Sequence, residues 1–172
     1  SGAIVVYVTN SNKDSVKATI GGTTYTGLQS ILYDSRKTSA VICVRIIGEL
    51  DIPSKNTSGQ IQIKENQSAI TVEGVGEDAT CNGWGITLAT AKNVELRNLG
   101  FMNNASSEGE SVTLQKCTYC WVHNCDFFYG TDRGGDKDKG DGALDTKQSQ
   151  YITHSYNHFW DCGKVHLNGN GD

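Results

Sequence analysis

The chain is 172 residues long, with 37% hydrophobic residues, 20% charged residues and a formal net charge of −4. That size and composition describe one globular domain with a sizeable core and exclude a disordered chain. The acidic balance argues against nucleic-acid or membrane-surface partners, and no apolar run approaches the ~18 residues of a membrane span.

The opening, SGAIVVYVTN, lacks the basic and apolar regions of a signal peptide, and a mature secreted protein would begin the same way. The first periodic segment covers 26–36, TGLQSILYDSR. There Leu28, Ile31 and Leu32 fall at helical spacing, with Thr26 as a candidate cap. From AVICVRIIG (40–48) onward the pattern changes to short strands broken by glycine and asparagine.

Those strands repeat. AITVEGV (69–75), NVELRNLGF (93–101) and YCWVHNCDF (119–127) align at offsets of 24 and 26. Ile70, Val94 and Cys120 form one expected inward column, Val72, Leu96 and Val122 a second, and Val75, Leu99 and Cys125 a third. YITHSYNHF (151–159) adds a copy at an offset of 32, bringing Ile152, His154 and Asn157 into the register and Phe159 beneath Phe101 and Phe127. The column Gly74, Asn98, Asn124 holds residues that tolerate positive φ and predicts a recurrent left-handed turn.

A period of 20-odd residues with inward aliphatic columns predicts an all-β fold, a right-handed parallel β-helix (solenoid). It should form a single domain over 1–172, with the helix at 26–36 as a short N-terminal cap over apolar side chains and strand edges. A leucine-rich repeat would need its own leucine and asparagine ladder, and a sandwich would show no register across strands. The last residues, VHLNGNGD, carry no capping segment, so the C-terminal end is expected to be truncated.

The six cysteines, Cys43, Cys81, Cys117, Cys120, Cys125 and Cys162, permit three disulfides without requiring them. Cys117, Cys120 and Cys125 with His123 invite a zinc reading, but Cys120 and Cys125 share columns with Val94 and Leu99 and read as small core residues. His154 likewise reads as a core histidine. Three N-x-[ST] sequons, at Asn56, Asn66 and Asn104, decide nothing by themselves.

The chemistry concentrates in the acids. Five aspartates lie between Asp132 and Asp145 among glycines, with Glu108 and Glu110 upstream. Like charges so crowded repel unless a cation sits between them, and carboxylate oxygens suit the 6–8 flexible ligands of Ca²⁺. An EF-hand does not fit, because the twelfth loop position counted from Asp136 is Lys147 rather than a glutamate. A solvated acidic face is the competing explanation for each acid alone, and for Asp132, Asp136 and Asp138 it is preferred. Trp121, Trp160, Tyr129 and Tyr156 offer sugar-stacking faces, or pack on the stack and its loops.

Taken in order, VYVTN, ITVEGVG, AKNVELRNLGF, CWVHNCDF, DGALDTK and YITHSYNHFWDCGKVHLNG resemble the pectate lyases among the parallel β-helix polysaccharide lyases. The resemblance implies a secreted, extracellular, calcium-dependent enzyme that cleaves polygalacturonate, the backbone of pectin, by β-elimination. It implies Ca²⁺ ligands at Glu108, Glu110, Asp141 and Asp145, with Asp145 near the two glutamates on the neighbouring rung. It assigns Lys164 to the substrate carboxylate, in a catalytic role, and Lys147 to substrate binding near the cleft. Two departures stand out. His123-Asn124 replaces the family's Asp-His, and the family's catalytic arginine belongs on a rung beyond the Lys164 segment, whereas no arginine follows Arg133 here.

Three functions follow as expectations. The first is a pectate lyase, incomplete without a downstream arginine-bearing segment or a second chain. In this reading His158 and His166 are the substitute bases should the chain turn over alone. The second is a non-catalytic β-helix that binds acidic polysaccharide through calcium. The third is a purely structural solenoid.

Overall fold

The computed structural model describes residues 2–54, 59–104, 106, 109–128, 142–160, 162 and 166–168, the last three as backbone. The chain enters through β1 (Ile4–Val8), the antiparallel hairpin β2 (Lys17–Ile20) and β3 (Thr23–Thr26), and helix α1 (Leu28–Tyr33) with a 3-10 turn at Asp34–Lys37. Then come β4 (Ile42–Leu50), β5 (Gln60–Lys64), the long β6 (Ile70–Asn82), β7 (Gly85–Ala89), β8 (Lys92–Arg97) and β9 (Gly100–Met102). The remaining strands are β10 (Val112–Gln115), β11 (Thr118–His123), β12 (Asp126–Phe128), β13 (Leu144–Lys147), β14 (Gln150–Ser155), β15 (His158–Trp160) and β16 (His166–Asn168).

Among the described residues every pairing outside the hairpin is parallel, and strands stack as the sequence returns to the same side of the coil. One sheet runs β5-β7-β10-β13-β16. A second runs β1-β4-β6-β8-β11-β14, and the far part of β6 leads a third, β9-β12-β15. This is the parallel β-helix expected from the columns. Ile70, Val94, Cys120 and Ile152 are register partners, as are Val72, Leu96, Val122 and His154. Phe101, Phe127 and Phe159 stack with ring centroids 5.3 and 4.9 Å apart.

Three expectations need correction. Val75 does not join the third column: it is 40% exposed, and Ala79 fills the inward place beside Leu99 because β6 makes an outward excursion over 75–78. Gly74 is not a left-handed residue. Glycine is needed there because an added Cβ would lie 1.9 Å from the Asn98 carbonyl oxygen, whereas Asn98 and Asn124 do adopt φ of 53° and 52°. Thr26 ends β3 rather than capping α1, and Gly27 is the N-cap without a side-chain hydrogen bond. The first amides of the helical segment bond to the chain itself, Gly27 N–H to the Val16 carbonyl and Leu28 N–H to that of Lys13, each at 2.8 Å. The helix still does its expected work: Leu28, Ile31 and Leu32 are buried, and α1 packs on β5 and β3 at the N-terminal end of the stack.

The core holds more than the repeat predicted. Ile61, Ile86, Val112 and Leu144 form a buried column in the sheet led by β5, beside Ile63, Leu88 and Leu114. Trp84 is fully buried and donates its indole N–H to the Leu50 carbonyl at 2.9 Å, which satisfies the one polar atom such a residue must pair. All six cysteines are free thiols. Burial pushes the Cys125 thiol up to about 12 and holds Cys81 well above the ordinary thiol range. Among the described residues no three His, Cys, Asp or Glu side chains gather as a metal would require, so Cys117, Cys120, Cys125 and His123 form no zinc centre.

Candidate functional site

Two of the acids lie at the sheet β5-β7-β10-β13-β16, Asp145 on β13 and Glu110 just before β10. Asp145 and Lys147 alternate with Leu144 and Thr146 along β13, so Leu144 and Thr146 turn inward and the charged pair outward. Asp145 is the register partner of Thr113, which puts Gly142 opposite Glu110 just before the two strands begin. The Asp145 carboxylate folds back over Gly142: a Cβ there would lie 2.1 Å from Asp145 Oδ1. Only glycine leaves room for that carboxylate on the rung next to Glu110.

Glu110 is held from behind. Its backbone carbonyl accepts a hydrogen bond from Gln60 Nε2 at 2.5 Å and another from Asn104 Nδ2. Gln60 Nε2 also reaches Ser106 Oγ at 3.0 Å, while Ser106 N–H donates to Asn104 Oδ1 at 3.0 Å. Gln60 and Asn104 are almost wholly buried, so the approach to β10 is clamped by amides with nowhere else to go. The sequon at Asn104 is therefore structural. So is Asn66, which donates to the Ser68 and Lys92 carbonyls and accepts from Lys92 N–H.

Of the expected site residues, the structure thus brings Glu110 and Asp145 to neighbouring rungs and sets Lys147 exposed on the Asp145 strand. Glu108, Asp141 and Lys164 lie outside the described residues, as do Tyr129, Asp132, Asp136 and Asp138. His158 is not on this face. It belongs to β15, pairs with Asp126 at 3.1 Å, and borders a cavity of about 400 Å³ with Phe128 and Trp160, whose rings stack at 4.1 Å. That location removes it as a base for chemistry at Glu110 and Asp145.

The second sheet carries an outward polar ladder that the sequence reading overlooked. Glu73 accepts from Arg45 Nε at 2.7 Å and Arg97 Nε at 2.8 Å, and the Cys43 thiol donates to it at 3.5 Å. Arg45 continues to the Tyr7 hydroxyl at 2.7 Å. On the other side Arg97 reaches Glu95, whose carboxylate lies 2.9 Å from His123 Nε2. Burial alone would raise the Glu73 carboxyl, but Arg45 and Arg97 outweigh it and hold the group below the usual carboxylate range. The signal was present in the sequence: Arg45, Glu73 and Arg97 share one outward column of alternating sign, which His123 continues.

Against known proteins, the family model for pectate lyase matches residues 2–172. Pectate lyase A of Aspergillus niger is 34% identical over 119 residues, covering 69% of this chain and 35% of that protein. The probable pectate lyase A of Aspergillus fumigatus is 32% identical over 123 residues, covering 70% of this chain and 36% of that protein. The chain therefore spans about a third of the length of these curated relatives. Pectate lyase II of Xanthomonas campestris superposes with a TM-score of 0.68 at 22% identity, over 96% of this chain and 50% of that one. A pectate lyase of Bacillus sp. N165, solved in complex with trigalacturonate, superposes with a TM-score of 0.59 at 22% identity, over 100% of this chain and 52% of that one. At that identity the two structures speak for the β-helix, and the family match along the whole repeat carries the assignment: this chain belongs to the pectate lyase family.

Proposed function

We propose that the chain forms the calcium-binding and substrate-holding part of an extracellular pectate lyase acting on polygalacturonate by β-elimination. The observation that carries this reading is the glycine cradle at Gly142, which lets the Asp145 carboxylate share a face with Glu110 inside a repeat matched throughout by the family model. The residues fit the metal. Glu110 and Asp145, both half-buried, offer hard oxygens on neighbouring rungs, and Glu108 and Asp141 are their partners by resemblance.

Bound there, Ca²⁺ would supply Lewis-acid withdrawal of charge from the substrate carboxylate. The chain's own residues do the rest. Gln60 and Asn104 fix the backbone at Glu110, and Gly142 keeps the place over itself open for Asp145. Lys147, exposed beyond Asp145 on the same face, attracts the anionic polymer. Lys164 would hold the carboxylate of the reacting sugar and stabilise the charge that develops as the C5 proton leaves.

Abstraction of that proton needs a base. The alternative reading is a β-helix that binds acidic polysaccharide through calcium without cleaving it. Incubation with polygalacturonate separates the two. A lyase produces unsaturated uronate ends, seen as rising ultraviolet absorbance that chelator abolishes. The binder retains the polymer only with calcium and gives no absorbance change. If calcium affects neither binding nor absorbance, both readings fail and the solenoid is structural.

A further inference from the structure

The turn that links the acid-bearing sheet to the second sheet carries aromatic and basic groups with no part in the site described above. The column just beyond it, the second residue of β8, β11 and β14, reads Asn93, Tyr119, Tyr151, and all three residues adopt left-handed backbone, with φ of 54°, 57° and 55°. Asparagine is the ordinary occupant of that conformation. A bulky side chain there is disfavoured, and it persists where the surroundings or a function require it. Both tyrosines stand in solvent, 59% and 69% exposed, with their rings stacked at 4.8 Å and 8°. They bury little, and because the two rings lie face to face the pair offers its rims and outer faces to solvent along the edge of the coil.

Lysines flank the pair. Lys92 and Lys116 border a groove of about 450 Å³ together with Tyr119, and the Lys116 N–H donates to the carbonyl of Lys147 on the next rung at 2.9 Å. Neither Lys92 nor Lys116 has a carboxylate partner among the described residues. The acid on the groove, Glu65, is already paired with Lys37 at 3.0 Å. A chain of net charge −4 thus presents a locally positive edge beside exposed aromatic faces.

We propose that this edge is an accessory binding track for acidic polysaccharide, separate from the calcium site. The Tyr119–Tyr151 stack would pack against the apolar face of a sugar ring, and Lys92 and Lys116 would take the carboxylates of the sugars beside it. The proposal rests on the reading that the substrate is a galacturonan. It adds a second point of attachment, which raises residence on a polymer by effective concentration. Charge complementarity selects an anionic polymer, and the stacked phenols select a sugar over a polyanion without rings.

The test uses the full chain in gels containing polygalacturonate, with EDTA throughout so that the calcium site is silent. The wild type should be retarded, more at low salt than at high. Lys92→Gln with Lys116→Gln should weaken binding tenfold or more, while the matching Lys→Arg pair keeps it. Tyr119→Ser with Tyr151→Ser should weaken binding to polygalacturonate but leave any retardation by polyglutamate unchanged. Variants are compared only where their melting curves in EDTA overlay the wild type, and the arginine pair covers loss of fold in the glutamine pair. Absence of retardation in EDTA overturns the track. So does wild-type binding by the glutamine pair, or equal loss on both polymers by the serine pair. Failure of the calcium reading shows instead in Asp145→Asn melting with and without Ca²⁺, which these substitutions do not touch.

Discussion

Replacing Glu73 with glutamine removes one charge from the middle of the outward ladder and keeps its shape. Glu73 is 11% exposed at its side chain and serves Arg45 and Arg97 from its two oxygens, at 2.7 Å on the Arg45 side. Hydrogen bonds to a charged group each contribute ~1.5–3 kcal/mol when sheltered. Here the two arginine side chains are 37% and 43% exposed, so solvent screens much of that, and about 1–2 kcal/mol in total is the expected loss at neutral pH. For a chain of this size that corresponds to roughly 2–8 °C in Tm.

The sign of the pH dependence follows from the depressed carboxyl. An unfolded glutamate titrates near ~4.3, and the folded group titrates lower. The ladder's contribution is therefore complete above the unfolded value and is lost as pH falls through the folded one. Urea unfolding of wild type and Glu73→Gln at stepped pH should show a constant gap from neutrality to about pH 5, closing at more acid pH as the wild-type carboxyl is protonated. A gap that stays constant into strong acid, or widens, would refute the assignment of the ladder's stability to the Glu73 charge.

Leu96→Asp strands a carboxylate between Val72 and Val122 in a fully buried column, and cooperative unfolding should be abolished or shifted by several kcal/mol in circular-dichroism melts. Leu96→Ala should fold and lose about 2–5 kcal/mol, so equal melting of Leu96→Ala and wild type would contradict the register. Thiol titration of the native chain should label Cys43 and Cys162, which are half-buried, and leave Cys81, Cys117, Cys120 and Cys125 silent until denaturant is added. Gly142→Ala should melt close to wild type in chelator yet lose part of its calcium response, because the new methyl group occupies the place of the Asp145 carboxylate.

The second and third sheets were legible because their strands carry aliphatic residues at matched offsets, and Leu96 over Val122 or Phe101 over Phe127 follows from alignment alone. The sheet that bears the acids was harder to read. QIQIK, GITLA, VTLQ and LDTK each present only two inward residues, too few to reveal a period. Val75 was misplaced because a strand excursion over 75–78 leaves the apolar spacing intact while moving the inward place to Ala79. Of the candidate site, the carboxylates were visible as a cluster, but the Gln60 and Asn104 clamp joins residues 50 and 6 positions from Glu110, and the first of these separations leaves no local pattern. Gly142 looked like one more loop glycine until the Asp145 carboxylate was seen to lie over it.

Calcium-dependent melting of the wild type beside Asp145→Asn and Glu110→Gln tests the central claim most directly. Ligand at about a hundredfold excess over its dissociation constant adds ~2.7 kcal/mol to the folded state. The wild type should therefore gain roughly 5–10 °C on saturation with Ca²⁺. Both variants should lose most of that gain while melting near the wild type in EDTA. An unchanged wild-type Tm on addition of calcium, or equal gains in all three proteins, would contradict a calcium site at Glu110 and Asp145.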